Sequence, residues 1–387
     1  MVIGAGPAGA TTARTLAARG RDVVMLEEHD GIGRPVHCTG LLGYDAFTEF
    51  DLPRRLILGE AGTARFWGAA GQSVAVNSVR VQAAVIDRAG LDQYLAERAQ
   101  RVGVTIRLGA RAESIAVHAS GVDVTVRDHG VLRARAVVLA CGANYRFHRL
   151  LGLGLPGVFL QSAQLEVPFP AGQEVQVRFG REVAPSGFAW LVPFARGADS
   201  YARVGLMSES RSRERFEAFK QTLCREAGIP GDAWPKPRLK MLPLGPVART
   251  YADRVLAVGD AAGLVKPTTG GGIYYGLLSG ALAGDVLAES LDRGRLDARS
   301  LRRFEVRWRK RLGQEIRVGL AFRRIAARLS DDSIDSLIEL ARVNGVVPLL
   351  QETATFNWHR KAAVALLGHP AVRRIVYKSW TRSAGQI

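Results

Sequence analysis

Apolar and polar positions alternate along the chain in two textures. Val2 and Ile3 end a short apolar strand, a glycine-rich turn follows, residues 10–18 carry the small and apolar pattern of a helix, and DVVMLEE at 22–28 is a second apolar strand. Residues 61–83 alternate and turn like β-structure. After Asp87 and Arg88, Leu91, Tyr94, Leu95 and Ala99 recur on one helical face. A strand is predicted at 104–108, and paired strands at 122–126 and 131–136 around Asp128-His129-Gly130; AVVLACG is a buried strand ending at Cys141-Gly142. From 158 to 242 the strands bear aromatics and predict a separate, mainly antiparallel sheet, with one helix at 213–227 and a proline-rich stretch after it. The parallel texture then returns in RVLAVGDAAGLVKPTTGGGIYYGLLSGALAG, so two segments about 250 residues apart are expected to share one nucleotide domain. Phe304, Trp308, Leu312, Ile316 and Leu320, spaced by four, form one stripe of a basic helix. More helix is expected at 331–380, with a break at Asn344-Gly345 and exposed aromatics at Phe356, Trp358, Tyr377 and Trp380.

The first turn carries chemistry. Gly4, Gly6 and Gly9 give GxGxxG between a strand and a helix, and Glu27 follows Gly9 by eighteen residues, where a carboxylate can accept hydrogen bonds from ribose hydroxyls. That is an adenine dinucleotide site; a plain strand-to-helix turn leaves the acid unexplained. Only three residues precede Gly4, fewer than the usual five or six of a strand, so the natural start is expected a few residues earlier. In the glycine-rich loop after Glu28, Cys38 lies between His37 and Thr39. It either approaches the reactive ring of the cofactor or is a small buried filler.

Composition narrows the class. With 387 residues, 47% of them hydrophobic, two or three domains are expected. Cys38, Cys141 and Cys224 have no CxxC spacing, which argues against disulfides and a metal site and fits a reducing cytosol. The longest apolar run, 273–287, is interrupted by Asp285, and no signal peptide is evident. The net charge is +17, and the last 89 residues hold eighteen basic against seven acidic side chains. Nucleic-acid signatures are absent, so an anionic membrane surface is the expected partner of the basic C-terminal helices. The stripe from Phe304 meets lipid, packs on the protein with a solvated basic face, or does each in part.

The N-terminal turn, DRAGLDQYLAERA, the Cys38 loop and the run Pro267 to Ile273 together resemble the geranylgeranyl reductase family, within the p-hydroxybenzoate-hydroxylase-like flavoproteins. The resemblance implies an α/β fold: a Rossmann-type FAD-binding domain (1–60, 78–157, 245–292), an antiparallel β-sheet substrate domain (61–77, 158–244) and a C-terminal basic helical region (293–387). It implies that Gly4, Gly6, Ala8 and Gly9 hold the FAD pyrophosphate and Glu27 the ribose, that Arg88 and Ala110 flank the flavin with Cys38 and Thr39 beside it, that Asp260 binds the ribityl chain, and that Gly272 and Ile273 approach the isoalloxazine. Phe188, Trp190 and Pro193 would line the substrate. Two departures stand out: the family's YxWxFP pattern reads Phe188, Trp190, Val192, Pro193, and its ADG segment reads Ala140-Cys141-Gly142.

The implied reaction is reduction of C=C bonds in a geranylgeranyl or polyprenyl lipid, with non-covalent FAD; Cys38 is expected as the acid that completes it or as the guide of that acid. NAD(P)H, a ferredoxin or a quinol would supply electrons. The rival readings are a flavin monooxygenase and a membrane-docked flavoprotein that reduces quinone. The expected location is the cytoplasm, peripheral on the inner face of the cell membrane.

Overall fold

The computed structural model describes residues 1–77, 81–170, 172, 174–231, 233–343 and 346–384, the last five by backbone alone. The expected break at Asn344-Gly345 and the Trp380 side chain lie outside the described residues.

Residues 1–36, 87–158 and 243–316 form one compact unit. Its sheet has the strand order Tyr251–Ala252, Val255–Ala257, Val137–Leu139, Val2–Ile3, Val24–Leu26, Thr105–Arg107, parallel from the second strand onward. Val2 pairs with both Val138 and Met25, and all three are fully buried, as continuous apolar runs in a parallel sheet require. Helix Pro7–Ala17 packs on helix Ile273–Asp292 through small residues: a methyl group at Gly280 would overlap the Ala8 carbonyl oxygen, and one at Gly284 would lie 2.5 Å from Thr15 Cβ. The distant segments thereby become one layer. An antiparallel ribbon, Ala112–Val117, Val122–Val126 and Gly130–Ala134, is inserted where paired strands were expected.

The helix Ala298–Ala326 begins in this unit. Leu301, Phe304, Trp308, Leu312 and Ile316 are buried, Trp308 Nε1 donates to Thr250 Oγ1 at 3.0 Å, and the Thr250 amide donates to Glu305 at 3.1 Å. Of the two readings of the stripe, packing on the protein is the one seen.

Residues 37–86, 159–242 and 317–387 form the second unit. A seven-stranded sheet runs Arg238–Pro243, Phe159–Pro168, Asp199–Ser208, Phe188–Arg196, Glu174–Arg178, Thr63–Trp67, Ser73–Asn77. Its pairings are mostly antiparallel, with Glu174–Arg178 parallel to Thr63–Trp67. Helix Ser212–Ala227 covers one face, where Phe216, Phe219 and Leu223 pack on Leu165, Ala189, Leu191, Val204 and Leu206. A smaller sheet joins Leu41–Gly43, Ala83–Ile86 and Ile57–Ala61. Helices Asp331–Val343, Val346–Thr353, Arg360–Gly368 and Pro370–Ala384 close on a small core of Leu340, Val346 and Val372. Phe356 and Trp358 are half-buried, whereas Tyr377 is exposed. Residues 37–60 pack with this unit and 293–316 with the first. Long-range side-chain bonds such as those of Arg203 and Trp308, invisible to hydropathy, decide where each segment belongs. No helix among the described residues is long and apolar enough to cross a membrane.

Candidate functional site

The strand Val2–Ile3 ends beside Ala140, and Gly4 turns the chain there with φ +107°; a methyl group at Gly4 would overlap the Ala140 carbonyl oxygen. Only glycine enters that conformation without strain. A methyl group at Gly9 would overlap the Gly4 carbonyl oxygen, so the helix sits directly on its own turn. Gly6 is the opposite case: as N-cap of Pro7–Ala17 it has no capping side chain, and a methyl group there would meet nothing within 4 Å. The turn is therefore tight underneath and open above, where the helix's unsatisfied amides and its positive dipole end lie. A pyrophosphate fits this cradle.

Glu27 closes one side. Its Oε2 accepts from the Ala5 amide at 3.0 Å, and Oε1 accepts from the His29 amide at 3.2 Å and lies 2.5 Å from His29 Nδ1. The carboxylate is thus held against the turn. Ala110 is buried and its amide donates to the Glu27 carbonyl at 2.8 Å, which fixes this strand end from the other direction. The Ala8 side chain is used in packing, since methyl groups at Gly259 and Gly276 would lie 2.9 and 3.6 Å from its Cβ. What Ala8 offers a ligand is its backbone.

The second glycine-rich segment meets the first through those contacts. Asp260 stands in the short turn Gly259–Ala262, next to Gly272, the uncapped N-cap of helix Ile273–Asp292; a methyl group at Gly272 would lie 2.6 Å from Asp260 Oδ1. Three groups that the sequence did not single out hold this turn. The Tyr145 hydroxyl donates to the Asp260 carbonyl at 2.6 Å, His148 Nε2 lies 2.6 Å from the Ala261 carbonyl, and the Gly259 amide donates to Ser279 Oγ at 3.1 Å. Burial pushes the Tyr145 hydroxyl far up, with the Asp260 charge adding to it, and pulls His148 down, so both are neutral hydrogen-bonding groups. Arg88 forms an ion pair with Asp92 one turn along helix Arg88–Arg101.

In the second unit, Phe188 and Trp190 stand on the sheet face opposite helix Ser212–Ala227. Their rings make an edge contact with centroids 5.8 Å apart, and Phe179 and Phe66 extend the cluster. Trp190 lies across from Gly205, where a methyl group would come within 2.5 Å of the indole, so the absence of a side chain makes room for the ring. Pro193 pairs with Ala202 and by strand alternation points to the helix-covered face with Ala189 and Leu191. The structure separates it from Phe188 and Trp190.

The Cys38 loop belongs to the aromatic face. Thr39 Oγ1 donates to Gln164 Oε1 at 3.2 Å, and Gln164 pairs with Gly205, the residue opposite Trp190. The Gly40 amide donates to Cys38 Sγ at 3.3 Å, and the half-buried thiol is therefore placed by its own loop. Arg203 is buried in the next pair along that face and donates to the Thr39 carbonyl at 2.9 Å. The signal that could have revealed it is an arginine inside the apolar strand YARVGLM. His37 is pulled down to about 4 by burial and then by Lys240 and Arg238, and its Nδ1 has no partner among the described residues. Cys141 is pushed up to about 11, chiefly by burial, and its Sγ donates to the Asn144 carbonyl at 3.3 Å; it is a neutral thiol.

Comparison with known proteins places this geometry. Residues 1–328 match the family model described as lycopene cyclase protein. The chain is 32% identical over 355 residues, 87% of its length and 90% of the relative's, to digeranylgeranylglycerophospholipid reductase 2 of Methanothermobacter thermautotrophicus. A geranylgeranyl bacteriochlorophyll reductase-like protein from Thermoplasma acidophilum has the same fold, with TM-score 0.81, 23% identity and 98% of both chains covered. A halogenase in complex with FAD is similar at TM-score 0.63 and 16% identity, over 97% of this chain and 84% of that one. With that identity spanning nearly all of both sequences, the chain belongs to the geranylgeranyl reductase family, together with the digeranylgeranylglycerophospholipid reductases.

Proposed function

We propose that the protein is an FAD-dependent reductase that saturates C=C bonds in the geranylgeranyl chains of an isoprenoid lipid. The observation that carries the reading is the match, over 87% of the chain, to a relative named for that reaction. The open cradle over Gly6 and the carboxylate of Glu27 are what an adenine dinucleotide needs. The residues proposed to hold FAD are Gly4, Gly6, Ala8 and Gly9 through their backbone, Glu27 at the ribose, Asp260 at the ribityl chain, and Gly272 and Ile273 at the flavin ring, with Ala110 and the Arg88–Asp92 pair beside them. When bound, the flavin supplies a hydride.

An unactivated alkene offers no oxyanion for the protein to stabilise. The chain's own contribution is then burial, orientation and a proton. Phe188 and Trp190 give the polyprenyl chain an apolar wall, which suits a ligand that needs burial more than hydrogen bonds. Cys38 Sγ donates the proton that completes saturation, and Thr39 keeps its loop on the same sheet face. The uncapped N-terminus of helix Ile273–Asp292 offers positive potential that would stabilise the negative charge of a reduced flavin held there. NAD(P)H, a ferredoxin or a quinol delivers the electrons.

The division of labour proposed from the resemblance, 1–60, 78–157 and 245–292 for FAD, 61–77 and 158–244 for lipid and 293–387 for an anionic membrane, is kept with two shifts: 37–60 go with the lipid sheet and 293–316 with the FAD unit. Arg373, Arg374 and Lys378 are exposed around the exposed Tyr377 and support that attachment. The protein would then be cytoplasmic and peripheral.

Anaerobic single turnover tests the reading. The flavin-loaded protein is reduced with dithionite and given digeranylgeranylglycerophospholipid in vesicles, and flavin reoxidation and lipid mass are followed. Reoxidation with a gain of two hydrogens per saturated bond is expected. Reoxidation by quinone or oxygen alone, with the lipid unchanged, would sink it.

A further inference from the structure

Arg203 has 1% of its surface exposed. A guanidinium that deep is tolerated only when its charge and its donors are satisfied, and the apolar wall proposed for lipid has no need of it. Its partners show where it acts. Nε meets Glu166 Oε2 at 3.0 Å on the paired strand, and Nη1 donates to the Thr39 and Ile86 carbonyls at 2.9 and 3.0 Å. The Ile86 amide in turn donates to the Gly40 carbonyl at 2.8 Å. Gly40, at φ +69°, passes so close that a methyl group there would overlap Nη1. The Gly40 amide is the group that donates to Cys38 Sγ.

We propose that Arg203 is a positioning residue: through the Thr39 carbonyl it clamps residues 38–40 to the sheet and so fixes the Cys38 thiol for proton delivery. The clamp's purpose rests on the reading of Cys38 as proton source. Its geometry does not.

Arg203→Lys keeps the charge beside Glu166 but replaces a fork of donors by a point that cannot span a carboxylate and two carbonyls. Thr39→Val is a milder second variant that leaves the ion pair intact and loses only the bond to Gln164. Flavin-loaded proteins are alkylated with iodoacetamide, and Cys38, Cys141 and Cys224 are followed separately by peptide mass spectrometry. With Arg203→Lys, Cys38 should react about tenfold faster, the scale set by losing one charge-assisted hydrogen bond. Thr39→Val should give a smaller rise, with Cys141 and Cys224 unchanged in both. An unchanged or slower Cys38, or a rise shared by all three thiols as in general loosening, would overturn the clamp. Wild-type turnover by Cys38→Ala with the selective alkylation intact would instead overturn its catalytic purpose, by way of the proton-source reading alone.

Discussion

At residues 4–9 the turn is shaped by the backbone of six consecutive residues lying against Ala140, with Glu27 at one side, whereas at residues 38–40 the loop is held by side chains more than 120 positions away, Gln164 and Arg203. The glycine turn tolerates no side chain beneath it and leaves Gly6 open above. The Cys38 loop also excludes a side chain, at Gly40, but what it would strike there is Arg203, a buried guanidinium paired with the half-buried Glu166. The first kind of site is specified mainly by a short local segment. The second depends on strands that meet only in the folded sheet, so a change in any one of them can retune it.

Two glycine substitutions give the widest separation. Gly9→Val forces a side chain into the Gly4 carbonyl, and it should lower stability by about 3 kcal/mol or more and abolish flavin binding. Gly6→Val enters open space and should leave stability within about 0.5 kcal/mol while weakening FAD by tenfold or more. Thermal melts and flavin titration read both. If Gly6→Val bound FAD normally, the cradle would not be where the pyrophosphate lies.

Trp190→Ala removes a buried indole seated over Gly205 and should cost about 3–5 kcal/mol, seen as a shift in the denaturant midpoint at constant slope. Flavin content should be unaffected, because the loss falls in the second unit. A loss of flavin in a still-folded variant would erase the distinction between the two regions.

His37 gives a smaller, pH-dependent effect. Its folded pKa is lowered to about 4 from 6.5, so between those values the unfolded chain takes up the proton first. Its contribution is fully present above about pH 6.5 and is lost as pH falls toward 4, by about 3 kcal/mol at most. In urea melts across that range the stability of wild type relative to His37→Asn should fall, by up to about 3 kcal/mol, as pH drops from 6.5 to 4. Parallel curves would mean that His37 is not desolvated.

The least effect belongs to Cys141, whose replacement by Ala should leave stability and flavin binding nearly unchanged. Burial raises its thiol to about 11, which leaves about a hundredfold less thiolate at neutral pH than an ordinary cysteine. Its alkylation should stay slow until pH 10 and then climb. Fast reaction near pH 8 would show that the Ala140-Cys141-Gly142 segment opens.

The sequence by itself determined the nucleotide half. Gly4, Gly6, Gly9 and Glu27 were legible because a turn, a helix start and a strand end lie within thirty residues, and glycine's lack of a side chain acts at the same position where it is read. Asp260 and Gly272 were named through the resemblance alone, and the fold makes them neighbours. Only the tertiary structure decided the rest. It spent the Ala8 methyl on packing, paired Arg88 with Asp92, and turned the stripe from Phe304 inward. It sent Pro193 to the covered face, since strand alternation with period two overrides a motif read as a string. It also put Gln164 and Trp190 in one cross-strand row and Arg203 in the next, with Gln164 and Arg203 both bonded to Thr39. Sheet register brings residues together by pairing strands, and no spacing along the chain encodes which strands will pair.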